Sequence, residues 1–169
     1  MSTLIHKGQI QANDYVQLGA DDELGNAPAV IVGLERWQRD GETLKDGSRQ
    51  VGVRLPNTAA VADIWPSIAD RPLIELDFPS FADGRAYSQA RLLRDRFGYA
   101  GEIRATGQAV VRDQLQSMRR VGIDSFVLRA DQDVQTCLQT LGDFDLAYQR
   151  ASDSLPIVQR LRAQTLATS

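Results

Sequence analysis

Two acidic side chains alternate with apolar ones in the segment Leu73-Ile74-Glu75-Leu76-Asp77-Phe78. If this segment is a β-strand, Glu75 and Asp77 share one face, because successive side chains of a strand point to opposite sides. Two carboxyl groups on one face could act as an acid and base pair or bind a hard cation. They could equally neutralise nearby arginines such as Arg54 and Arg104 in a structural network. Asp77 is therefore a candidate catalytic residue with a structural alternative.

The segment from residue 81 to residue 94 directly follows that strand and opens a predicted helix. Ligands of parallel α/β sheets bind beyond the carboxyl ends of the strands, where helix N-terminal amides face an anion. Gly84 would allow a tight turn, Arg85 offers a planar donor fork for an oxyanion, and Tyr87 offers a hydroxyl donor. Asp83 could cap the helix. Asp83 and Tyr87 are candidate catalytic residues here, and a capped helix start with a solvated arginine is the structural alternative.

Positive charge is concentrated between residues 81 and 129, where nine arginines face five acidic residues. This local charge of +4 contrasts with the net charge of −3 for the whole chain. Such an asymmetry suits an anionic ligand or an acidic protein partner. On the next predicted helix, Asp113 would need an arginine partner if it were buried, so Asp113 and Gln114 are interpreted as a structural motif. The candidate residues for anion or partner binding are Arg54, Arg85, Arg91, Arg104 and Arg112.

The composition excludes several classes of protein. The 169 residues are 43% apolar and 24% charged, which indicates a globular protein, and we interpret residues 1–169 as a single α/β domain. Within it, residues 1–27 look like an irregular or hairpin-like lead-in, and residues 150–169 form a tail. A net charge of −3 argues against general binding to nucleic acid or to an anionic membrane.

The reactive side chains are few. Cysteine and histidine each occur once, so disulfides, structural zinc and Ser-His-Asp chemistry are improbable and no metal site is expected. No glycine-rich nucleotide-binding motif occurs, and no cofactor is evident from the sequence. The start of the chain has no apolar leader and no long apolar run follows, so we expect a cytoplasmic protein without a membrane contact.

Short strand patterns alternate with helical patterns along the chain. Their starts lie about 20 to 30 residues apart, which is the length of one βα unit. The predicted strands cover residues 29–32, 51–55, 73–78, 102–106 and 125–129. Helical apolar spacing is clearest from Ala86 to Phe97, with Gly98 at the end.

A parallel strand with helices on both faces is normally apolar throughout, whereas these strands alternate apolar with charged positions. We therefore predict a mostly parallel sheet of about five βα units, curved like half of a TIM barrel, with helices on one face only. A doubly wound, flavodoxin-like sheet is the alternative. In the half-barrel, the concave face would carry a charged row of Arg54, Glu75, Asp77, Glu102, Arg104 and Arg129.

Three short motifs follow one another within about 50 residues. They are Phe-x-Asp-Gly-Arg-x-Tyr-Ser-x-Ala from Phe81, Gly-Glu-x-Arg-Ala-x-Gly from Gly101, and the pair Asp113-Gln114. With these motifs the chain resembles a bacterial family of unknown function that is described as a probable oxidoreductase involved in sulfite reduction. Where the family tends to have Cys-Gly-Phe, this chain has Val121-Gly122-Ile123. The resemblance implies a role near sulfite reductase in sulfate assimilation, without fixed catalytic residues.

Three functions follow from these observations. The resemblance implies an accessory of sulfite reductase, or an oxidoreductase acting on a sulfur oxyanion. The charged strand ends indicate a separate enzyme that acts on an anionic metabolite through Glu75, Asp77 and Arg104. The third interpretation is an interaction module without catalysis, in which the charged rows of two half-barrels pair in a homodimer.

Overall fold

The computed structural model describes residues 2–45 and 47–142. These residues form a mixed α/β fold around one eight-stranded sheet. The strands are β1 (Leu4–His6), β2 (Gln9–Gln11), β3 (Val16–Leu18), β4 (Ala29–Gly33), β5 (Gln50–Leu55), β6 (Leu73–Asp77), β7 (Glu102–Thr106) and β8 (Ser125–Val127). The helices are α1 (Leu34–Lys45), α2 (Val61–Ile68), α3 (Arg85–Arg91), which continues as a π-helical turn over Leu92–Arg96, and α4 (Arg112–Arg120). Residues 134–142 are also helical.

The order of the strands across the sheet is β2-β1-β8-β7-β6-β5-β4-β3. Strands β3 to β8 run parallel, whereas β1 is antiparallel to both β8 and β2. From β4 to β8 each strand lies beside its predecessor in the chain, so right-handed crossovers return every helix to the same face. The sheet curls into a half-barrel. This confirms the predicted half TIM-barrel-like architecture over the doubly wound alternative, in which the strand order reverses.

The two faces of the sheet differ in chemistry. The helix-covered face is the apolar core, where Val53, Ile74, Ile103 and their neighbours are completely buried. On the concave face, the register places Arg54 beside Glu75 and Glu75 beside Arg104, as the alternation predicted. Period-two patterning is therefore sufficient to assign the sides of these strands.

One member of the predicted charged row lies elsewhere. Strand β8 ends at Val127, and Arg129 lies in the following loop, where its Nε atom is 2.6 Å from Asp131 Oδ1. The extended pattern stops there because the backbone N–H of Arg129 bonds to the carbonyl oxygen of Val110 in the preceding β7–α4 connection. The prediction that Arg129 continues the row is therefore wrong.

The lead-in is more ordered than its composition indicated. Strands β1 and β2 form a hairpin at one edge of the sheet, and β3 lies at the opposite edge. The chain that connects β2 to β3 crosses the concave face. We call this connection, together with the first two residues of β3, the N-terminal strap (residues 12–17). Arg104 Nη1 donates to Asn13 Oδ1 at 3.0 Å, and the Tyr15 ring lies 5.3 Å from the Arg104 guanidinium. Gln17 of the strap donates to Glu75. The predicted tail, residues 150–169, lies outside the described residues.

Candidate functional site

A cavity of about 810 Å³ opens at the carboxyl ends of β3, β4, β5 and β6. Ligand sites of parallel α/β sheets lie at this end, because the loops that follow the strands converge there. Its wall combines apolar side chains with a few polar groups, which is typical of small-molecule sites. The polar lining includes Gln17, Glu35, Arg36, Arg54, Thr58 and Asp77.

An ion pair forms the chemical centre of this cavity. Arg54 Nη2 donates to Asp77 Oδ1 at 3.2 Å, and Arg54 Nε lies 3.7 Å from Glu75 Oε1. The two side chains of the pair are 39% and 28% exposed, so solvent and a ligand can reach both. In such a pair the guanidinium can bind an anionic group of a ligand. The carboxylate can exchange a proton with an adjacent group of the same ligand.

Glu75 lies directly behind this pair and is completely buried. Its Oε1 atom accepts a hydrogen bond of 2.8 Å from Gln17 Nε2, while its Oε2 atom has no partner among the described residues. Burial raises the pKa of the Glu75 carboxyl, against the opposing effects of Gln17 and Arg54. A buried carboxyl oxygen without a partner is costly and is often found where a protein handles a proton or a ligand.

Arg104 is held in a structural network on the same face and does not line the cavity. Its Nε and Nη2 atoms donate to Glu102 Oε1 at 3.0 and 2.8 Å, and only 2% of the residue is exposed. Asn13 and Tyr15 of the strap cover it. Its donors are therefore already used within the chain, and the structure places this predicted anion-binding residue where an external ligand does not meet it.

The Asp-Gly-Arg turn forms a separate cluster on the same rim. Asp83 accepts hydrogen bonds from the Nε and backbone N–H of Arg85, and Asn57 Nδ2 donates to it at 2.6 Å. Arg85 and Asn57 stabilise the ionised form and hold the pKa of Asp83 well below its usual range. Gly84 has φ −87° and open space around its Cβ position, so the turn does not require a glycine. The conformational freedom of glycine is therefore not used at position 84.

The other candidate residues are spread over the helices. Tyr87 donates to Gln114 Oε1 at 2.7 Å, which ties α3 to α4, and burial raises the Tyr87 pKa. Asp113 is exposed in the first turn of α4, so the arginine partner that a buried carboxyl would need is not required. Arg91 is exposed near Asp95, and the Nε atom of Arg112 lies 3.4 Å from Thr140 Oγ1. The five predicted arginines are thus not brought to one point.

Part of the arginine surplus lies at the opposite, amino end of the sheet. A second cavity of about 710 Å³ there is lined by Lys7, Arg94, Arg119 and Arg120, together with Asp95 and Asp124. Arg94 donates to the carbonyl oxygens of Tyr99, Gly101 and Gly122, and the lining includes the carbonyl-rich end of α4. Arg94 thus satisfies main-chain acceptors, as expected at the stability face of a barrel-like fold.

Sequence reasoning missed two polar residues of the carboxyl-end cavity, Gln17 and Arg36. Arg36 donates to the carbonyl oxygens of Gly19 and Asp22 and so holds the β3–β4 loop against the cavity. The three-residue alternation of Val16-Gln17-Leu18 was the only signal for the position of Gln17. Among the described residues, no three His, Cys, Asp or Glu side chains are grouped so that they could hold a metal ion. None of the helices described combines the length and apolar content of a membrane span.

The comparison with known proteins places this architecture in a family. The family model for a bacterial protein of unknown function (DUF934) matches residues 52–158 and so covers more than half of the chain. The match runs from within β5 through β8 and includes Arg54, Glu75 and Asp77. No curated protein and no solved structure matches the chain. The chain therefore belongs to the bacterial family of unknown function DUF934.

Proposed function

We propose that this protein is an accessory of assimilatory sulfite reduction that binds a small metabolite with an anionic group in the carboxyl-end cavity. The place in metabolism comes from the family resemblance of the Asp-Gly-Arg and Gly-Glu-x-Arg-Ala-x-Gly motifs. The binding mode rests on one observation: the half-exposed Arg54 guanidinium, oriented by Asp77, lies in the wall of a cavity of about 810 Å³.

The position of Arg54 supports this proposal against the other arginines. Arg85 is bound by Asp83, and Arg104 is buried against Glu102. Arg54 is also paired, with Asp77, but of these three arginines it is the one in the wall of the cavity at the end of the sheet where α/β proteins bind ligands. A planar guanidinium donates two parallel hydrogen bonds to a carboxylate or a sulfur oxyanion, which gives both affinity and orientation.

A genetic experiment tests the place in metabolism. Deleting the gene should prevent or slow growth on sulfate and on sulfite, while sulfide or cysteine restores it. Expression of the wild-type protein and of the R96Q variant should restore growth, because Arg96 is exposed on the π-helical turn, away from the cavity. The R54Q variant should not. Normal growth of the deletion strain on sulfate, without a second copy of the gene, would refute the proposal; full complementation by R54Q would refute the binding mode alone.

Glu75 favours a second candidate, a separate enzyme that acts on an anionic metabolite by acid and base catalysis. A buried carboxyl with a raised pKa and an unpartnered oxygen lies next to an ionised pair, which is a common arrangement of catalytic groups. Incubation of the purified protein with a metabolite extract, followed by mass spectrometry, should then show one anionic compound consumed by the wild type and spared by D77N. The dimeric interaction module is disfavoured, because the strap already covers Arg104 and Glu75.

A further inference from the structure

We propose that the carboxyl-end cavity takes a zwitterion, a small molecule that carries a carboxylate and a protonated amine, as a free amino acid does. The inference rests on the proposed function and narrows the ligand of the same site. It follows from which atoms of the Arg54–Asp77 pair are still available and from the charges around them.

The ion pair leaves hydrogen-bonding atoms unused on both of its members. Arg54 Nη2 and Asp77 Oδ1 bond to each other, whereas Arg54 Nη1 and Asp77 Oδ2 have no partner among the described residues. One side of the pair therefore offers a cationic donor and the other an anionic acceptor, both partly exposed. A carboxylate is the natural partner of the first and an ammonium group of the second.

The charge balance of the cavity argues against a simple dianion. Its wall carries two cationic groups, Arg36 and Arg54, and two anionic ones, Glu35 and Asp77. Arg36 is occupied by the carbonyl oxygens of the β3–β4 loop, so Arg54 is the cation left for a ligand. An oxyanion there would meet the repulsion of Asp77, and a ligand without net charge would not.

The surroundings complete the match. Glu75 lies behind the pair with its Oε1 atom 3.7 Å from Arg54 Nε, so the acidic side chains of positions 75 and 77 both hold the guanidinium in place. Leu18, Leu34, Pro56 and Ala59 supply an apolar section of the wall. A molecule with both charges at one end and an uncharged side chain at the other fits this division into a polar and an apolar part.

Thermal shift and calorimetric titration of the purified full-length protein test the proposal with defined probes. The probes are the twenty amino acids, and acetate, n-butylamine and sulfite as compounds with one kind of charge. At least one amino acid should raise the melting temperature, and the single-charge compounds should bind at least about tenfold more weakly, because each forfeits one charge-assisted contact. Sulfite or acetate binding as tightly as the best amino acid would overturn the inference.

Matched variants separate this inference from the proposed function. D77N should lose amino-acid binding by about tenfold or more while sulfite and acetate bind at least as well as before. R54Q should lose all of these ligands, and R96Q should behave as the wild type. Unchanged amino-acid binding by D77N refutes the zwitterion and leaves anion binding at Arg54 intact. If no probe binds the wild-type protein, the zwitterion inference is refuted, and the growth experiment still tests the place in metabolism on its own.

Discussion

Glu75 is a carboxylic acid in the middle of a parallel sheet, and its burial has a consequence for stability. Its pKa in the folded protein is raised above the ordinary value of 4.5. Between that value and the raised pKa, the folded state binds a proton that the unfolded chain has lost. Stability therefore decreases as the pH rises through this interval, and below it Glu75 contributes no pH dependence.

We expect E75Q to remove this contribution, because glutamine keeps the shape and does not titrate. Urea denaturation of both proteins from pH 4 upward would give the difference in unfolding free energy, wild type minus E75Q, which should fall with rising pH. Asp124 is partly buried and also has a raised pKa, but it is present in both proteins, so its effect cancels in the difference. A difference that stays constant or rises with pH would contradict the prediction.

Two of the three glycines of the family motifs, Gly84 and Gly107, give opposite predictions for alanine substitution. Gly107 has φ +112°, and an added Cβ would lie 2.5 Å from the carbonyl oxygen of Phe78. We expect G107A to destabilise the protein by about 2 kcal/mol or more, because strain and a main-chain clash combine. G84A is the matched control, and we expect it to cost less than about 1 kcal/mol as a helix N-cap change. Chemical denaturation checks both, and equal costs would contradict this assignment.

For single residues, the sequence predicts the face of the sheet on which a side chain lies better than it predicts which side chains it contacts. Alternation correctly placed Arg54, Glu75 and Arg104 on one face. It could not show that Glu102 and the strap would occupy Arg104, because those contacts join positions as far apart as 13 and 104. It also could not show that Gly84 adopts an ordinary backbone conformation, since Asp-Gly pairs are compatible with several turns.

The N-terminal strap contacts the concave face of the sheet, which its irregular sequence pattern did not indicate. Tyr15 packs on the Arg104 guanidinium and donates to Gln50 Oε1 at 2.9 Å. We expect Y15A to destabilise the protein by about 1 to 2 kcal/mol through loss of the cation–π contact and packing, and Y15F by at most about 1 kcal/mol through loss of the hydrogen bond. Urea midpoints measure both. Equal effects of the two substitutions would mean that the ring does not stabilise Arg104.

The sequence predicted all five strands β4 to β8 but left the segment between β4 and β5 without an element, and that segment is α1. Leu34, Trp37 and Leu44 form an apolar stripe along this helix. Gly41 occupies the position in the stripe where a larger side chain would contact the Trp37 ring. Glycine in a helix lowers its intrinsic stability, and here tertiary packing overrides that preference. Helix α3 lacked such an interruption, and it ends as predicted before Gly98, which has φ +62°.

For the molecule as a whole, the N-terminal segment holds the two edges of the sheet together. Ile5 of β1 is completely buried and pairs with Phe126 of β8, while β3 extends the other edge beside β4. We expect deletion of residues 2–18 to lower the unfolding midpoint strongly and to increase binding of a hydrophobic dye. I10S is the control, since Ile10 is 51% exposed, and its midpoint should match the wild type. An unchanged midpoint for the deletion would contradict this role.

The pairing of Leu4 with Val127 also constrains how the chain reaches its native state. The hairpin is synthesised early, yet the strand it joins leaves the ribosome more than a hundred residues later. Such non-local pairing slows folding, because a long loop must close before the contact is formed. During translation, β1 and β2 therefore remain unpaired with β8 until that strand has been synthesised. A chaperone that shields Ile5 in that interval should raise the yield of folded protein.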